Sequence, residues 1–362
     1  RLTPAYSLHV VDEILSNVGA SEFVLDPFSG TATTPLASIC RGIPAHSVDV
    51  NPFLVWFGNL KLSNISAGHA EELRSASCRI TKCPERVKPN RWVPALHQIE
   101  KWWDSSTLDS LAEIFARIGD YEAGVVQDLL KIAFCRVMIG SSNASFGHQS
   151  MSFKKKKATS ERQGSLFEEP DAGANVWKLF EDAVEFVADG IAAESPSVVG
   201  KVFHGDSRHL DQTLESSKYT VVITSPPYPN RMSYVRELRP YMYWLGFLES
   251  GRQTGELDWK AIGGTWGCAT SNLNRWEPEN GDVGYPEFNR IVRLISEQHD
   301  VLGKYVHRYF DDTKLHLASL RKVTAPGCRC FYVVGNSKFY DTMLPVEEIY
   351  AAMFEDAGFV EV

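Results

Sequence analysis

The arrangement that most constrains this chain is a short apolar strand followed by a tight turn, a helix and a second strand that ends in an acid. The segment "EFVLD" is short and apolar, and the "DPFSG" that overlaps its end has the composition of a turn. The segment "TTPLASICRG" has helical spacing with a closing glycine, and "PAHSVD" ends at Asp49. Strand, helix and strand in this order predict two parallel strands joined by a helical crossover, the repeating unit of α/β sheets.

The same alternation returns in the last part of the chain. Strands are predicted at "SVVGKVFHGD", which ends at Asp206, at "YTVVITSPPY" and at "CRCFYVVGN". Helical segments separate them, including a long stretch from Pro286 that ends at a Pro-Gly pair, and "PVEEIYAAMFEDAGF" follows as a further helix. We therefore predict an α/β protein with a Rossmann-like, doubly wound and mostly parallel sheet.

The middle of the chain has a different character, because strand signals fade there. "LDSLAEIFARIG" and "VVQDLLKIAFCRVMIG" have the spacing of amphipathic helices. We predict that residues 1–61 form the first part of the sheet domain, 62–200 a helical insertion, and 201–362 the second part of the sheet domain.

Three smaller segments carry local predictions. Residues 152–175 are polar, charged and glycine-containing, which predicts a mobile loop. Residues 264–285 are aromatic and glycine-rich, which predicts an irregular loop. In the helical "ELRPYMYWLGFL", Pro240 marks either the start of the helix or a kink.

Composition narrows the class of protein. The chain has 362 residues, 44% hydrophobic and 23% charged, and no apolar run approaches the roughly 20 residues of a membrane span. Its seven cysteines are scattered, which favours reduced thiols in a cytoplasmic protein, and its histidines lack metal-ligand spacing. The net charge of −8 does not exclude a nucleic-acid enzyme, because a local basic groove is sufficient.

Three acidic strand ends could face a ligand. The Asp26 to Gly30 turn before a helix suits an anionic or zwitterionic group, and Asp49 at the next strand end can accept both hydroxyls of a ribose. The dinucleotide fingerprint and the P-loop motif are both absent. A plain turn with a structural aspartate fits the first segment equally well. Asp206 can accept from the exocyclic amine of adenine, or Asp206 or Ser207 can cap a helix.

The segment Ser225-Pro226-Pro227-Tyr228 ends a buried strand with two consecutive prolines. Proline fixes φ and removes a backbone donor, and the residue before each proline is excluded from helical conformation. The result is a stiff corner at the carboxyl end of a strand, which suits a site that holds a planar group.

Together these stretches resemble the S-adenosylmethionine-dependent DNA amino-methyltransferases, which methylate exocyclic amines of bases. That family has an Asp-Pro-Phe-x-Gly-x-Gly-type cofactor turn and an [Asp/Asn/Ser]-Pro-Pro-[Tyr/Phe/Trp] catalytic corner, matched here by residues 26–32 and 225–228. Ala32 replaces the usual second glycine. The resemblance covers residues 1–61 and 201–362, and it implies a class I methyltransferase fold.

The resemblance also implies the cofactor, S-adenosyl-L-methionine, and no metal. The N-terminal "RLTPAYS" resembles the element that contacts the methionine part of the cofactor. The implied cofactor-binding residues are Thr3, Pro4, Tyr6, Asp26, Pro27, Phe28, Gly30, Thr31, Asp49, Asp206 and Ser207.

The chemistry of an exocyclic amine sets the expected roles of the corner. The amine lone pair is delocalised into the ring, so attack needs acceptors aimed at both amine hydrogens. The Ser225 hydroxyl and the Pro226 carbonyl can serve, and Tyr228 can stack on the base. A base within a duplex must first be flipped out. No Pro-Cys dipeptide occurs, so methylation at carbon 5 of cytosine is not indicated.

The resemblance does not decide which base is methylated. A serine at the first corner position usually accompanies N4 methylation of cytosine, so a site-specific enzyme of that kind, in a restriction-modification or defence setting, is the leading hypothesis. The alternatives are N6 methylation of adenine, methylation of an RNA base, and a binding protein without activity.

Double-stranded DNA is the expected partner, and cognate restriction or defence proteins are possible ones. DNA contacts are expected from the insertion or from the irregular loop, and basic residues suggest further positions. The same charges are equally compatible with a solvated surface. The candidate residues are Lys154, Lys155, Lys156, Lys157, Arg231, Arg236 and Arg239.

Overall fold

The computed structural model describes residues 7–82, 92–145, 152–153, 172–191, 198–230, 233–264 and 268–361. The strands are β1 Val24–Asp26, β2 Ala45–Asp49, β3 Ala144–Ser145, β4 Ser152–Phe153, β5 Gly200–His204, β6 Tyr219–Thr224, β7 Thr324–Tyr332, β8 Ser337–Phe339 and β9 Thr342–Leu344. The helices are α1 Leu8–Leu15, α2 Thr33–Ile39, α3 Pro52–Leu62, α4 Ala67–Lys82, α5 Ile99–Trp102, α6 Ser105–Gly119, α7 Val125–Gly140, α8 Ala172–Asp189, α9 Val235–Trp244, α10 Gly251–Lys260, α11 Cys268–Arg275, α12 Phe288–Gln298, α13 Asp300–Val323 and α14 Val346–Asp356.

The chain divides into two compact units. Unit 1 comprises residues 1–63, 196–239 and 250–362, and unit 2 comprises residues 64–195 and 240–249. The boundary near residue 240 falls inside α9, at Pro240. Residues 240–249 therefore group with the inserted residues, although the sequence analysis placed them in the second part of the sheet domain.

Unit 1 contains a five-stranded sheet in which every neighbouring pair is parallel. Its strand order is β5-β2-β1-β6-β7, a doubly wound arrangement in which the strand order reverses between β1 and β6. The predicted Rossmann-like α/β fold is confirmed. Ligands of such sheets bind in the crevice at the carboxyl ends of the strands where the order reverses.

Helices cover both faces of this sheet, because neighbouring residues of a strand point in opposite directions. Val24 and Val221 belong to one apolar cluster, together with residues of α1 and α2. Leu25 and Val222 belong to a second cluster, together with residues of α12, α13 and α14. Burial on both faces explains why β1 and β6 are nearly continuous apolar runs.

Strand β7 begins earlier than the sequence suggested. It starts at Thr324, directly after α13, and includes the Pro-Gly pair that was expected to end the helix. The register against β6 shifts between Tyr219 and Val221, which accommodates these residues, and Gly327 has a φ of +76°. A proline is tolerated here because β7 is an edge strand with no neighbour on one side.

Unit 2 is mainly helical, with α4 to α8 as its principal elements. Its core contains an aromatic cluster in which Trp244 contacts Trp92, Trp103, Phe115 and Phe134. The two predicted amphipathic helices correspond to α6 and α7.

Of the two roles predicted for Pro240, the start of the helix is excluded, because Pro240 lies inside α9. The two loop predictions were wrong in part. Helix α11 occupies part of the predicted irregular loop at 264–285. Helix α8 begins at Ala172 and β4 includes Ser152 and Phe153, all within the predicted loop at 152–175. Lys154 to Lys157 lie outside the described residues.

No helix in the described ranges has both the length and the apolar character needed to cross a bilayer.

Candidate active site

A cavity of unit 1 lies at the carboxyl ends of the strands, where the strand order reverses. Its volume is about 240 Å³. Its lining includes residues 27–31 after β1, 48–51 at the end of β2, 205–207 after β5 and 225–228 after β6. Residues that were singled out in four separate stretches of sequence therefore meet around one space.

The turn after β1 is shaped by two residues with left-handed backbone conformation. Gly30 has a φ of +50° and Ala32 a φ of +58°. Glycine adopts this conformation readily, whereas a residue with a Cβ is strained there. Ala32 therefore occupies a position where glycine is the residue of choice. Its buried methyl group packs in the apolar cluster of the sheet, which offsets part of that strain.

Asp49 joins the end of β2 to this turn. Its Oδ2 accepts from the backbone N–H of Gly30 at 2.9 Å, and its Oδ1 accepts from that of Asn51 at 2.8 Å. Burial raises the pKa of Asp49 to about 7, despite the opposing effect of these hydrogen bonds, and the neighbouring Asp26 carboxyl raises it further. The carboxyl group lines the cavity and titrates near neutrality.

Asp26 lies beneath the turn and does not line the cavity. Its carboxyl accepts from the Thr224 hydroxyl at 2.6 Å and from the Phe28 backbone N–H at 3.1 Å. Burial raises the pKa of Asp26 to about 6 although these bonds oppose the shift. The bond to Thr224 thus links the end of β1 to the end of β6, immediately before Ser225. Asp26 therefore has a structural role.

Asp206 lines the cavity and caps the 3-10 helix Ser207–Gln212 by accepting from the Arg208 backbone N–H. The Arg208 guanidinium also reaches both carboxylate oxygens, with Nη2 at 2.6 Å from Oδ2 and Nε at 3.0 Å from Oδ1. Burial opposes ionisation, but Arg208 outweighs it and lowers the pKa of Asp206. An adenine amine would have to share oxygens that already accept from Arg208. Ser207 lies beside Asp206 in the lining.

Ser225 begins the corner after β6, and its hydroxyl hydrogen is engaged. Its Oγ donates to the Val333 carbonyl at 3.0 Å, and the Tyr228 hydroxyl lies 3.3 Å from the same oxygen. A hydroxyl has one hydrogen and two lone pairs, so Ser225 meets the cavity as an acceptor.

The peptide unit between Pro227 and Tyr228 is held at both ends. The Pro227 carbonyl accepts from the Tyr309 hydroxyl at 2.6 Å, and the Tyr228 backbone N–H donates to the Tyr234 hydroxyl at 3.1 Å. Among the described residues, none donates to the Pro226 carbonyl. The acceptors left at the corner are therefore the Pro226 carbonyl and the Ser225 hydroxyl.

One wall of the cavity consists of residues that the sequence analysis did not identify. Tyr234, Val235 and Leu238 line it from α9 and the residues before that helix, and Ile262 lines it after α10. Lys260 lies at its exposed rim. No local motif marks these residues, because they become neighbours of the Gly30 turn and Asp49 only in the folded protein.

Helix α13 carries three further residues whose side chains bond to Pro227, Arg208 or Ser207. Tyr309 reaches Pro227, Asp312 accepts from Arg208 Nη1 at 2.7 Å, and His316 lies 2.9 Å from the Ser207 carbonyl through Nδ1. His316 Nε2 lies 2.6 Å from the Tyr332 hydroxyl. Burial lowers the pKa of His316 to about 4, so the ring is neutral and can donate to Ser207 while accepting from Tyr332.

Of the remaining predicted site residues, Pro27, Phe28, Gly30 and Thr31 line the cavity. The others either lie outside the lining or are not described. Arg236 and Arg239 lie on α9 outside the lining, and the Arg239 Nε donates to the Arg236 carbonyl at 3.1 Å. Thr3, Pro4, Tyr6 and Arg231 lie outside the described residues. Within the described ranges, no group of three or more His, Cys, Asp or Glu side chains is placed to hold a metal ion.

Comparison of the chain with models of protein families, with curated proteins and with solved structures finds no match. The function is therefore inferred from the geometry of the cavity.

Proposed function

We propose that this protein is an S-adenosylmethionine-dependent DNA methyltransferase that modifies the exocyclic N4 amine of a flipped cytosine. The observation that carries the proposal is the shared cavity, which is lined by the Gly30 turn, Asp49 and the Ser225 to Tyr228 corner. A methyl donor and an acceptor amine need adjacent sites in one space, and the residues proposed for each site line this one cavity.

The residues around the Gly30 turn fit the cofactor. Asp49 is a partly exposed carboxyl at the cavity, placed to accept from a ribose diol. Val50 and Leu54 supply apolar surface nearby for an adenine ring. When bound, the cofactor supplies a methyl group activated by a positive sulfonium. The carboxylates of Asp49 and Asp206 favour a cation electrostatically.

The Ser225 to Tyr228 corner is proposed to activate the exocyclic amine, which is a poor nucleophile. The Pro226 carbonyl and the Ser225 hydroxyl accept from the two amine hydrogens, which draws the nitrogen toward a tetrahedral shape and frees its lone pair for attack. Tyr228 stacks on the base, and aromatic stacking returns about 1–3 kcal/mol toward the cost of flipping. Pro227 completes the rigid bend that holds these groups in place.

Duplex DNA is the proposed partner, and the cytoplasm is the proposed location. Arg231, Arg236, Arg239 and Lys154 to Lys157 are proposed to contact DNA phosphates, which bind cations without regard to sequence. A cognate restriction or defence protein is the proposed functional associate.

Replacing Ser225 with alanine tests the reaction directly. The purified protein is incubated with labelled S-adenosylmethionine and amplified, therefore unmodified, genomic DNA, and the digested nucleosides are identified by mass spectrometry. We expect N4-methylcytosine from the wild type and a rate at least about 100-fold lower from Ser225→Ala, because one of two acceptors is lost. Ser16→Ala, at an exposed position in unit 1, is the control and should retain the wild-type rate.

Other products distinguish the alternatives. N6-methyladenine in place of N4-methylcytosine assigns the target to adenine, and transfer to RNA but not to duplex DNA assigns it to an RNA base. Absence of methyl transfer to every nucleic acid tested, by protein shown to be folded, overturns the proposal.

A further inference from the structure

The orientation of the Pro226 carbonyl depends on few torsions. Peptide planes are rigid, and each proline has a fixed φ, so the free torsions across the diproline are the ψ angles of Pro226 and Pro227. These angles are set by whatever holds the peptide unit that follows. In this structure that unit is held at its carbonyl by Tyr309 and at its N–H by Tyr234.

Tyr309 is itself fixed. It lies on α13 with 1% of its surface exposed, and its hydroxyl is 2.9 Å from that of Tyr350 on α14. A carbonyl can only accept, so Tyr309 donates its single hydrogen to Pro227 and accepts from Tyr350. Two buried tyrosines thus form a directional chain of hydrogen bonds that ends on the corner.

We propose that Tyr309 is a positioning residue for methyl transfer, which fixes the Pro226 carbonyl by occupying the neighbouring Pro227 carbonyl. This inference rests on the proposed function. The bond has two consequences at the corner. It clamps the peptide unit that sets the angle of the Pro226 carbonyl, and it removes the Pro227 carbonyl as a competing acceptor. The amine is thereby directed to one pair of oxygens.

The same helix offers a matched control. Tyr305 lies one turn before Tyr309, is 2% exposed, and has a buried hydroxyl with no hydrogen-bond partner among the described residues. Tyr309→Phe and Tyr305→Phe each remove one buried oxygen from α13. Tyr305→Phe therefore reports the effect of losing a buried oxygen as such, whereas only Tyr309→Phe also frees the Pro227 carbonyl and removes the partner of Tyr350. The melting temperature reports the cost in stability of those lost bonds, separately from kcat.

The experiment compares kcat for methyl transfer to DNA, the dissociation constant for S-adenosylhomocysteine and the melting temperature among wild type, Tyr309→Phe and Tyr305→Phe. We expect Tyr309→Phe to lower kcat by about 10- to 100-fold, because a small misplacement of a reacting group is costly. Its affinity for S-adenosylhomocysteine should stay within about 2-fold of wild type, because the Gly30 turn and Asp49 are untouched. Tyr305→Phe should match wild type in kcat and in affinity. Tyr350→Phe, which leaves the bond to Pro227 in place, should have an intermediate kcat.

The possible failures are separable. If the wild type methylates DNA and the two phenylalanine variants have equal kcat, Tyr309 has no positioning role and the proposed function stands. A loss of kcat in Tyr309→Phe with a parallel loss of S-adenosylhomocysteine affinity overturns the inference in favour of a general structural role. If the wild type transfers no methyl group to any nucleic acid, the proposed function and this inference both fail.

Discussion

At the scale of single residues, Asp49 is a carboxyl group of the cavity lining whose pKa is shifted close to neutrality. Its two oxygens accept from backbone N–H groups of Gly30 and Asn51, yet burial raises its pKa to about 7. The carboxyl therefore changes charge in the pH range where the protein would act. Any ligand that donates to Asp49 is held more weakly once the carboxyl is protonated.

This gives a pH prediction for cofactor binding. A ribose diol donates to the ionised carboxylate, so affinity for S-adenosylhomocysteine should fall as the pH drops below about 7, by up to about 10-fold per pH unit. Titration calorimetry between pH 5.5 and about 8 measures it. Asp49→Asn keeps the shape of the side chain but cannot ionise, so its affinity should be lower at pH 8 and nearly independent of pH. A wild-type affinity that is constant across this range would contradict the proposed role of Asp49.

At the scale of elements, Gly58 determines how closely α3 approaches β5. A Cβ at this position would lie 2.6 Å from Cγ2 of Val202 and 3.1 Å from Cβ of Ala32. Both neighbours are buried, Val202 in β5 and Ala32 at the start of α2. The absence of a side chain at this position of α3 therefore allows the helix to pack against the strand and the turn that contains Gly30 and Ala32.

Gly58→Ala should accordingly destabilise the protein. Alanine favours a helix by about 1 kcal/mol over glycine, but overpacking in a filled core costs about 1–3 kcal/mol, and the short approach to a β-branched side chain makes the second effect larger. Urea unfolding should show a lower free energy of unfolding. Gly251→Ala, in α10 where a Cβ would meet nothing within 4 Å, is the control and should be neutral or stabilising. Equal stabilities of the two variants would show that α3 can shift away from β5.

The residues of helix α13 that contact the site could not be predicted from the sequence. The parallel strands, the Gly30 turn and the diproline corner are local patterns, and each was located from its own residues. The partners that hold them are distant in sequence, as Tyr309 is from Pro227 and His316 from Ser207. Nothing in the spacing of a long amphipathic helix distinguishes a tyrosine that reaches the corner from one, such as Tyr305, that does not.

The short elements were missed for a different reason. The hairpin of β8 and β9 has three residues in each strand, too few for an alternating pattern to be recognised. Helix α11 is polar and lies in a stretch that also contains glycine and proline, so its composition suggested a loop. Tertiary packing decides the structure of such segments, as it does for Leu273 of α11, which is buried in the core of unit 1.

At the scale of the whole molecule, buried acids and buried histidines have opposing effects on stability. Burial raises the pKa of Asp26 to about 6 and that of Asp49 to about 7, and lowers the pKa of both His46 and His316 to about 4. Burial also raises the pKa of Asp312 and lowers that of His307.

The signs of these shifts predict a flat pH profile. Between about pH 4.5 and 6 the folded protein keeps protons on acids that the unfolded chain has released, so the acids make stability fall as the pH rises. The histidines are neutral in the fold and protonated in the unfolded chain, so they make stability rise with pH. We expect the two effects largely to cancel, and chemical unfolding at several pH values measures the result.

A variant separates the two effects. His46→Asn removes one histidine, so its stability should fall as the pH rises from 4.5 to 6, by at most about 1 kcal/mol per pH unit because His46 is only partly buried. The exposed His9→Asn is the control and should follow the wild-type profile. A profile for His46→Asn that coincides with that of the wild type would show that the histidines do not oppose the acids.

The hydrogen bond from Ser225 to the Val333 carbonyl has a consequence for discrimination between bases. Because that hydrogen is committed, the two proposed acceptors, the Ser225 hydroxyl and the Pro226 carbonyl, present only lone pairs. Thymine has a keto oxygen where cytosine has its amine, and guanine has one where adenine has its amine. A keto oxygen placed against these two acceptors would meet two further lone pairs, and such an unpaired polar group is rejected strongly. The carbonyl of Val333, the residue that follows β7, would thus exclude two of the four DNA bases before any chemistry begins.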